Sequence, residues 1–265
     1  MRAFPWLSVV PLATIFVAFW VGLGVFALLA AARGRPKTER IEKHGGSVLL
    51  SSFAGEYAVW FLSQPVKLCT KLRIHPDVLS WAGLLLTLAA VPALVLGHFG
   101  LGGWLFMLGA MLDSMDGTVA RNLGIAGDSG EFLDAVLDRV ADMSIFLGLL
   151  YYYRDRLGAA ALIAVALCAS TMISYMRAKA EAMNIDCPRV VLRRPERVVY
   201  LGCGMAMAPV LAAFLEPGAA HPVYHLTLVA VGLIAVLGTA GTVRTGINAR
   251  RALRERDAAA REAAA

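Results

Sequence analysis

Seven apolar segments of membrane-spanning length dominate this sequence, at roughly 6–31, 78–98, 101–121, 131–153, 158–180, 196–215 and 222–244. A helix needs about 20 predominantly apolar residues to cross the hydrocarbon core of a bilayer, and lipid leaves only helices and closed barrels as spanning structures. Runs of this length, separated by short basic clusters, dictate an all-α integral membrane protein. Composition agrees: 58% of the residues are hydrophobic and 17% charged, against about 25% charged in soluble domains. A chain of 265 residues suits one bundle rather than two domains.

Charge is distributed unevenly along the chain. Segments 33–73, 177–197 and 244–261 hold 20 of the 25 Lys and Arg residues, whereas the connections on the other side hold only Arg2, Arg154 and Arg156. The positive-inside bias therefore predicts a multi-pass protein of the cell (inner) membrane, N-terminus outside and C-terminus cytoplasmic. The same bias accounts for the net charge of +6 without a nucleic-acid partner. Residues 1–32 read as a retained transmembrane anchor, because the apolar stretch from Trp6 to Ala32 exceeds the ~7–15 residues of a signal-peptide core. Residues 33–47 read as a cytoplasmic linker. Residues 48–73 mix Tyr57, Trp60 and Phe61 with Lys67, Lys71 and Arg73, the pattern of an interfacial amphipathic helix, broken near Pro65. Residues 74–247 make a six-span catalytic bundle, and 248–265 a cytoplasmic helical tail. The four cysteines form no CxxC pair, and His221 and His225 flank a Pro-containing loop with no Cys or carboxylate partner, so neither set reads as a zinc site.

The chemistry lies in residues 112–142, LDSMDGTVARNLGIAGDSGEFLDAVLDRVAD. Two apolar helices meet in a Gly-rich connection, with Ser129 as the expected N-cap of the second. Asp113 and Asp116 are three apart and share a face of the incoming helix; Asp134 and Asp138 are four apart and share a face of the outgoing one. At ~1.5 Å per residue, Asp116 and Asp134 each lie about 8–9 Å from the turn, and Asp113 and Asp138 about 13 Å. Four carboxylates can therefore converge on one point. In a partly desolvated cluster they need protons or cations to neutralise them. Oxygen-only ligands select Mg²⁺ or Mn²⁺, and two such ions about 3.5–4 Å apart can bridge a phosphoryl displacement. Gly117 and Ala120 leave room beside the backbone, and Arg121 offers a donor fork suited to phosphate. Isolated helix-end aspartates are commonly caps, but four inside apolar helices are costly and point to function. A carboxylate-based cation transporter is the rival from another class. Confinement of the cluster to one hairpin, together with Gly117, Ala120 and Arg121, speaks against it.

These residues also resemble the signature of the CDP-alcohol phosphotransferases, D-x2-D-G-x2-A-R-x8-G-x3-D-x3-D, with every fixed position filled by Asp113, Asp116, Gly117, Ala120, Arg121, Gly130, Asp134 and Asp138. The resemblance covers roughly residues 48–247 and implies the family's six-helix bundle with an interfacial helix, here carrying one extra N-terminal span. It further implies that Asp113, Asp116 and Asp134 bind metal and position the CDP pyrophosphate of a CDP-lipid. Asp138 would ligate metal and serve as catalytic general base on an acceptor hydroxyl. Gly117, Ala120, Arg121 and Gly130 would line the CDP site, with two Mg²⁺ or Mn²⁺ ions per active site and a homodimeric assembly.

A second region, 174–202, carries Arg177, Lys179, Arg189, Arg193, Arg194 and Arg197. Arg189 and Arg193 read as ordinary positive-inside charge. Arg177 and Lys179 at one helix end, Arg194 and Arg197 at the start of the next, and Arg244 on the last span can together form a cationic pocket for an acceptor that carries phosphate. Ser174 to Glu181 and Arg194 to Arg197 resemble bacterial phosphatidylinositol-phosphate synthases and archaeal archaetidylinositol-phosphate synthases, as do His75 to Ser80 and, more weakly, Thr242 to Arg244. That resemblance implies inositol 1-phosphate as acceptor and CMP as leaving group. Phosphatidylglycerophosphate synthesis, with glycerol 3-phosphate as acceptor, is the alternative.

Overall fold

A computed structural model describes residues 52–185 and 192–264, with Val17, residues 21–28 and Ala31 of the N-terminal segment. The linker 33–47 and Arg189 lie outside the described residues, as does most of the N-terminal anchor. Among the described residues the regular structure is all helical: α1 Ser52–Lys71, α2 Pro76–Val95, α3 Phe99–Leu123, α4 Asp128–Tyr152, α5 Leu157–Ala182, α6 Arg194–Leu215 and α7 His225–Ala264. Among the described residues α2, α5, α6 and α7 are long and apolar enough to cross a membrane, which marks a multi-pass membrane protein. Helices α3 and α4 are 25 residues each, equally long, but carry the charges of the aspartate motif.

Local sequence sets the helix ends. Pro76 opens α2 behind His75, whose ring accepts the Asp77 N–H, as suits a proline in a first helical turn. Gly124 ends α3 in the left-handed region at φ 71°, a conformation that costs glycine nothing. Helix α1 runs unbroken through Pro65, contrary to the expected interruption. A proline inside a helix removes only one backbone bond and can be accommodated when neighbours hold the segment. Here Val66 packs in a cluster with Leu79, Met115 and Val119, which ties the C-terminal half of α1 to α2 and α3. Toward the N-terminus, Phe26 is buried against Tyr57 and Trp60, with ring centroids 5.8 Å and 5.6 Å away. Helix α7 is continuous for 40 residues and carries the C-terminal segment as its extension.

Helices in lipid gain nothing from hiding apolar surface from water, so close packing at small residues holds such bundles together. This chain follows that rule. A Cβ on Gly83 of α2 would sit 2.7 Å from the Gly109 carbonyl oxygen of α3. One on Gly103 of α3 would meet the Ala206 nitrogen of α6 at 2.5 Å. One on Gly204 of α6 would meet Ala230 of α7 at 2.6 Å. Helix α2 packs extensively against both α3 and α4, whereas α3 and α4 touch each other little. The aspartate hairpin is therefore splayed, with α2 packed on both of its helices and α6 packed on α3.

At the end of the bundle remote from the motif, Phe99, Tyr152, Tyr153 and Tyr224 form an aromatic cluster with centroid separations of 4.2–6.1 Å. Their hydroxyls fasten the loops: Tyr152 donates to Pro222 O, Tyr153 to Val223 O and Tyr224 to Gly97 O. His225 lies 3.5 Å from the Glu216 carboxylate, so this histidine does have an acidic neighbour, contrary to the sequence reading.

Candidate active site

The turn of the hairpin places the carboxylates. The Gly124 N–H reaches the Ala120 and Arg121 carbonyls and closes α3; α4 then begins at Asp128 with Gly127 as N-cap. Ser129, expected as the cap, lies inside the first turn instead. Asp128 and Glu131 supply negative charge there, which the helix dipole favours without a side-chain cap.

Asp113 and Asp116 are buried on α3, Asp134 is half-buried on α4, and one oxygen from each lies within 4.8 Å of the others. Helix α2 fixes this cluster. The Gly83–Gly109 contact brings the backbones of α2 and α3 together, one helical turn from Ser80 and Asp113. Ser80 then donates to Asp116 Oδ2 at 2.5 Å, while the Gly117 N–H donates to Asp116 Oδ1. Three converging carboxylate oxygens with no nitrogen or sulfur donor fit a hard divalent cation.

Asp138 faces a different partner. Arg194 Nη1, from the first turn of α6, lies 2.5 Å from Asp138 Oδ1 and 2.5 Å from Asp113 Oδ2. The buried Asp138 Oδ1 makes no well-aligned hydrogen bond. One turn further along α4, Asp142 approaches Arg194 Nε at 3.6 Å and Arg197 Nη2 at 3.0 Å. Arg197 also reaches Ser174 Oγ at 3.4 Å and is almost fully buried. Pairing with carboxylates is what allows these cations to be desolvated.

Beside the cluster is a cavity of about 230 Å³ between α4, α5 and the start of α6. Asp138 and Asp142 form one wall; Arg139, Arg177, Arg193, Arg194 and Arg197 also line it. Of the cations anticipated from sequence, Arg177, Arg194 and Arg197 thus come together here. Lys179 and Arg244 are exposed and do not line the cavity. Lys179 is two residues from Arg177, about 200° around the helix, so both cannot face one pocket. Arg244 is on α7, which packs against α5 and α6 and not against α4. Arg177 is paired with Glu181 at 2.9 Å.

Toward the turn of the hairpin, Gly117 and Ala120 are half-buried and Gly130 is exposed with nothing near its missing Cβ. Arg121 is exposed, folded back onto Thr118 at 3.2 Å and lying beside Gly117. Four polar residues carried no site role in the sequence reading; Arg193, read there as ordinary positive-inside charge, lines the cavity instead. Asp142 continues the i, i+4 ladder of Asp134 and Asp138, a periodicity that could have singled it out. Arg139 and Arg193 were legible only as charge. Nothing in the sequence links Ser80 to Asp116, 36 positions away.

The phosphatidylinositol phosphate synthases of Cutibacterium acnes and Mycobacteroides abscessus are 36% and 35% identical to this chain over 135 and 119 residues. Those matches cover 48% and 44% of this chain but 65% and 54% of the relatives, less than two thirds of their length. The Mycolicibacterium smegmatis phosphatidylinositol phosphate synthase is 32% identical over 157 residues, 56% of this chain and 70% of that protein. Among solved structures, the Mycobacterium tuberculosis phosphatidylinositol phosphate synthase with CDP-DAG bound has a TM-score of 0.60 at 24% identity, covering 71% of this chain and 92% of that one. The same protein in complex with manganese and citrate gives 0.61 at 24% identity, covering 71% of this chain and 88% of that one. At this identity the structural likeness speaks for the fold. A family model described as CDP-alcohol phosphatidyltransferase matches residues 73–241, well over half of the sequence, and the chain belongs to that family.

Proposed function

We propose that this chain transfers a phosphatidyl-type group from CDP-diacylglycerol to the hydroxyl of inositol 1-phosphate, releasing CMP. The observation that carries this reading is the position of Asp138, which forms a wall of the arginine-lined cavity and lies next to the Asp113, Asp116 and Asp134 cluster. One side offers acceptor-phosphate recognition and the other offers oxygen ligands for Mg²⁺ or Mn²⁺, with Asp138 between them.

Asp113, Asp116 and Asp134 would hold the metal, with Asp138 completing a two-ion site. Bound metal supplies Lewis-acid stabilisation of charge on the transferring phosphoryl group. The chain's own residues do the rest. Arg177, Arg194 and Arg197 orient the acceptor phosphate through charge-assisted hydrogen bonds. Asp138 takes the proton of the attacking hydroxyl, a general-base role that requires its carboxylate within hydrogen-bond reach of the acceptor. Gly117, Ala120 and Gly130 leave the cytidine diphosphate free to approach the hairpin backbone, and Arg121 pairs with its phosphates. Ser80 holds Asp116 in the orientation the metal requires. Lys179 and Arg244 take no part in the pocket so described.

The same reading places the site on the cytoplasmic side, with the N-terminus outside, the C-terminus inside and two copies forming a homodimer. CMP release by the purified chain tests it, with CDP-diacylglycerol and Mg²⁺ and with inositol 1-phosphate, glycerol 3-phosphate, inositol or serine as acceptor. Release only with inositol 1-phosphate, lost in Asp138→Asn, is the expected result. Release only with glycerol 3-phosphate transfers the assignment to phosphatidylglycerophosphate synthesis. Metal transport with no CMP formed sinks the transferase reading.

A further inference from the structure

The contacts of Arg194 contain a conflict. Its Nη1 lies on Asp113, a member of the carboxylate trio suited to metal, and on Asp138, the residue that must face the acceptor. A guanidinium and a divalent ion drawing on one Asp113 carboxylate repel each other, so each weakens the other's hold. The guanidinium is also incompletely seated: its buried Nε has no hydrogen-bond partner. An alternative seat lies one turn along α4. Asp142 Oδ1 is 3.6 Å from that Nε, and Arg197 already anchors the Asp142 side chain from the cavity side. The aspartate ladder Asp134, Asp138, Asp142 thus offers Arg194 successive partners about 6 Å apart along the helix. The second seat belongs to the cavity lined by Arg177 and Arg197. In that cavity Arg177 is already committed to Glu181 and Arg197 to Asp142.

We infer that Arg194 is a displaceable counter-ion: metal binding transfers its guanidinium from Asp113 and Asp138 to Asp142, completing the acceptor-phosphate pocket. Asp142 is the positioning residue that retains it there. Two consequences follow. Asp138 is released from its cation at the moment a general base is needed. Metal and phosphorylated acceptor bind with positive coupling, and because coupling is reciprocal each tightens the other. The inference rests on the assignment of this cavity to a phosphate-bearing acceptor.

The test is Mn²⁺ binding to the purified full-length chain in detergent, followed by electron paramagnetic resonance, with and without inositol 1-phosphate and with no CDP-lipid present. Wild type should bind Mn²⁺ about tenfold more tightly with the acceptor, within the usual range of coupling between two sites. Arg194→Gln should bind Mn²⁺ more tightly than wild type in the absence of acceptor and show no further gain on adding it. Asp142→Asn removes the seat to which metal displaces the guanidinium, so it should bind Mn²⁺ more weakly than wild type without acceptor and lose the gain on adding it. Melting curves for both variants confirm that the readout comes from folded protein, and Arg194→Lys provides a second probe of the same seat. Unchanged or weaker Mn²⁺ binding by Arg194→Gln without acceptor overturns the inference and leaves the transferase reading intact. Wild type that releases CMP yet shows no acceptor effect on Mn²⁺ binding does the same. Failure of wild type to bind Mn²⁺ at all overturns both. Coupling with glycerol 3-phosphate in place of inositol 1-phosphate supports the Arg194 exchange and moves only the acceptor assignment.

Discussion

Replacing Gly109 by alanine adds one methyl group at a close approach of α2 and α3. The new Cβ would lie 2.5 Å from Thr87 Oγ1 and 2.6 Å from the Gly83 carbonyl oxygen, against the 3.4 Å or more of an ordinary contact. Neither neighbour gives way cheaply. Gly83 presents backbone, and Thr87 is buried and bonded to that same carbonyl at 3.0 Å. The helices must separate by about 0.8 Å, an overpacking that typically costs ~1–3 kcal/mol. Alanine's better helix propensity returns at most ~1 kcal/mol. Even with that full return the net loss is about 0–2 kcal/mol, and its upper end corresponds to a melting point lower by several degrees. The same separation draws Ser80 away from Asp116, one turn on, where the hydrogen bond is 2.5 Å long. Loss of an outer-shell partner typically costs about 10–100-fold in metal affinity or activity. Melting in detergent and Mg²⁺ dependence of CMP release measure the two effects. A variant that melts at or above the wild-type temperature with an unchanged metal requirement would refute the argument that this glycine contact sets the site.

The other predictions follow from single contacts. Ser80→Ala removes the hydroxyl that donates to Asp116 but adds no bulk, so the metal requirement should rise about 10-fold or more while the melting point changes little; titration of activity with Mg²⁺ checks this. Gly130→Ala places its methyl in open space inside the first turn of α4, so stability should hold or rise by ~0.5–1 kcal/mol, while KM for the CDP-lipid should rise because the position borders the proposed cytidine diphosphate site. Tyr153→Phe leaves the Val223 carbonyl without its 2.6 Å donor at a fully buried ring and should cost ~1–3 kcal/mol in unfolding, with kcat unaffected because the cluster is at the far end of the bundle. Chelation of divalent metal should abolish CMP release reversibly, with recovery on adding Mg²⁺ or Mn²⁺, whereas Asp113→Asn should not recover at wild-type metal concentrations.

Asp113, Asp116, Asp134 and Asp138 were legible in the sequence because helix periodicity and a short turn are local rules. Spacings of 3 and 4 put each pair on one face, and equal rise on either side of the turn matched their depths. The apolar runs likewise marked the bundle, since the length needed to cross lipid is fixed by the lipid. Asp142 was legible in principle by the same periodicity, as the third step of a ladder. What the tertiary structure alone decided is which groups those carboxylates meet. Ser80 reaches Asp116 because Gly83 and Gly109 let two backbones close to contact, and Arg194 reaches Asp113 and Asp138 because α6 packs along α3. The separation of Arg177, Arg194 and Arg197 from Lys179 and Arg244 was decided in the same way, by helix rotation and by which helices are neighbours. Charge and spacing in the chain list the cations available, but contacts across 36 or 81 positions depend on side-chain packing between helices, for which no local periodicity carries a signal.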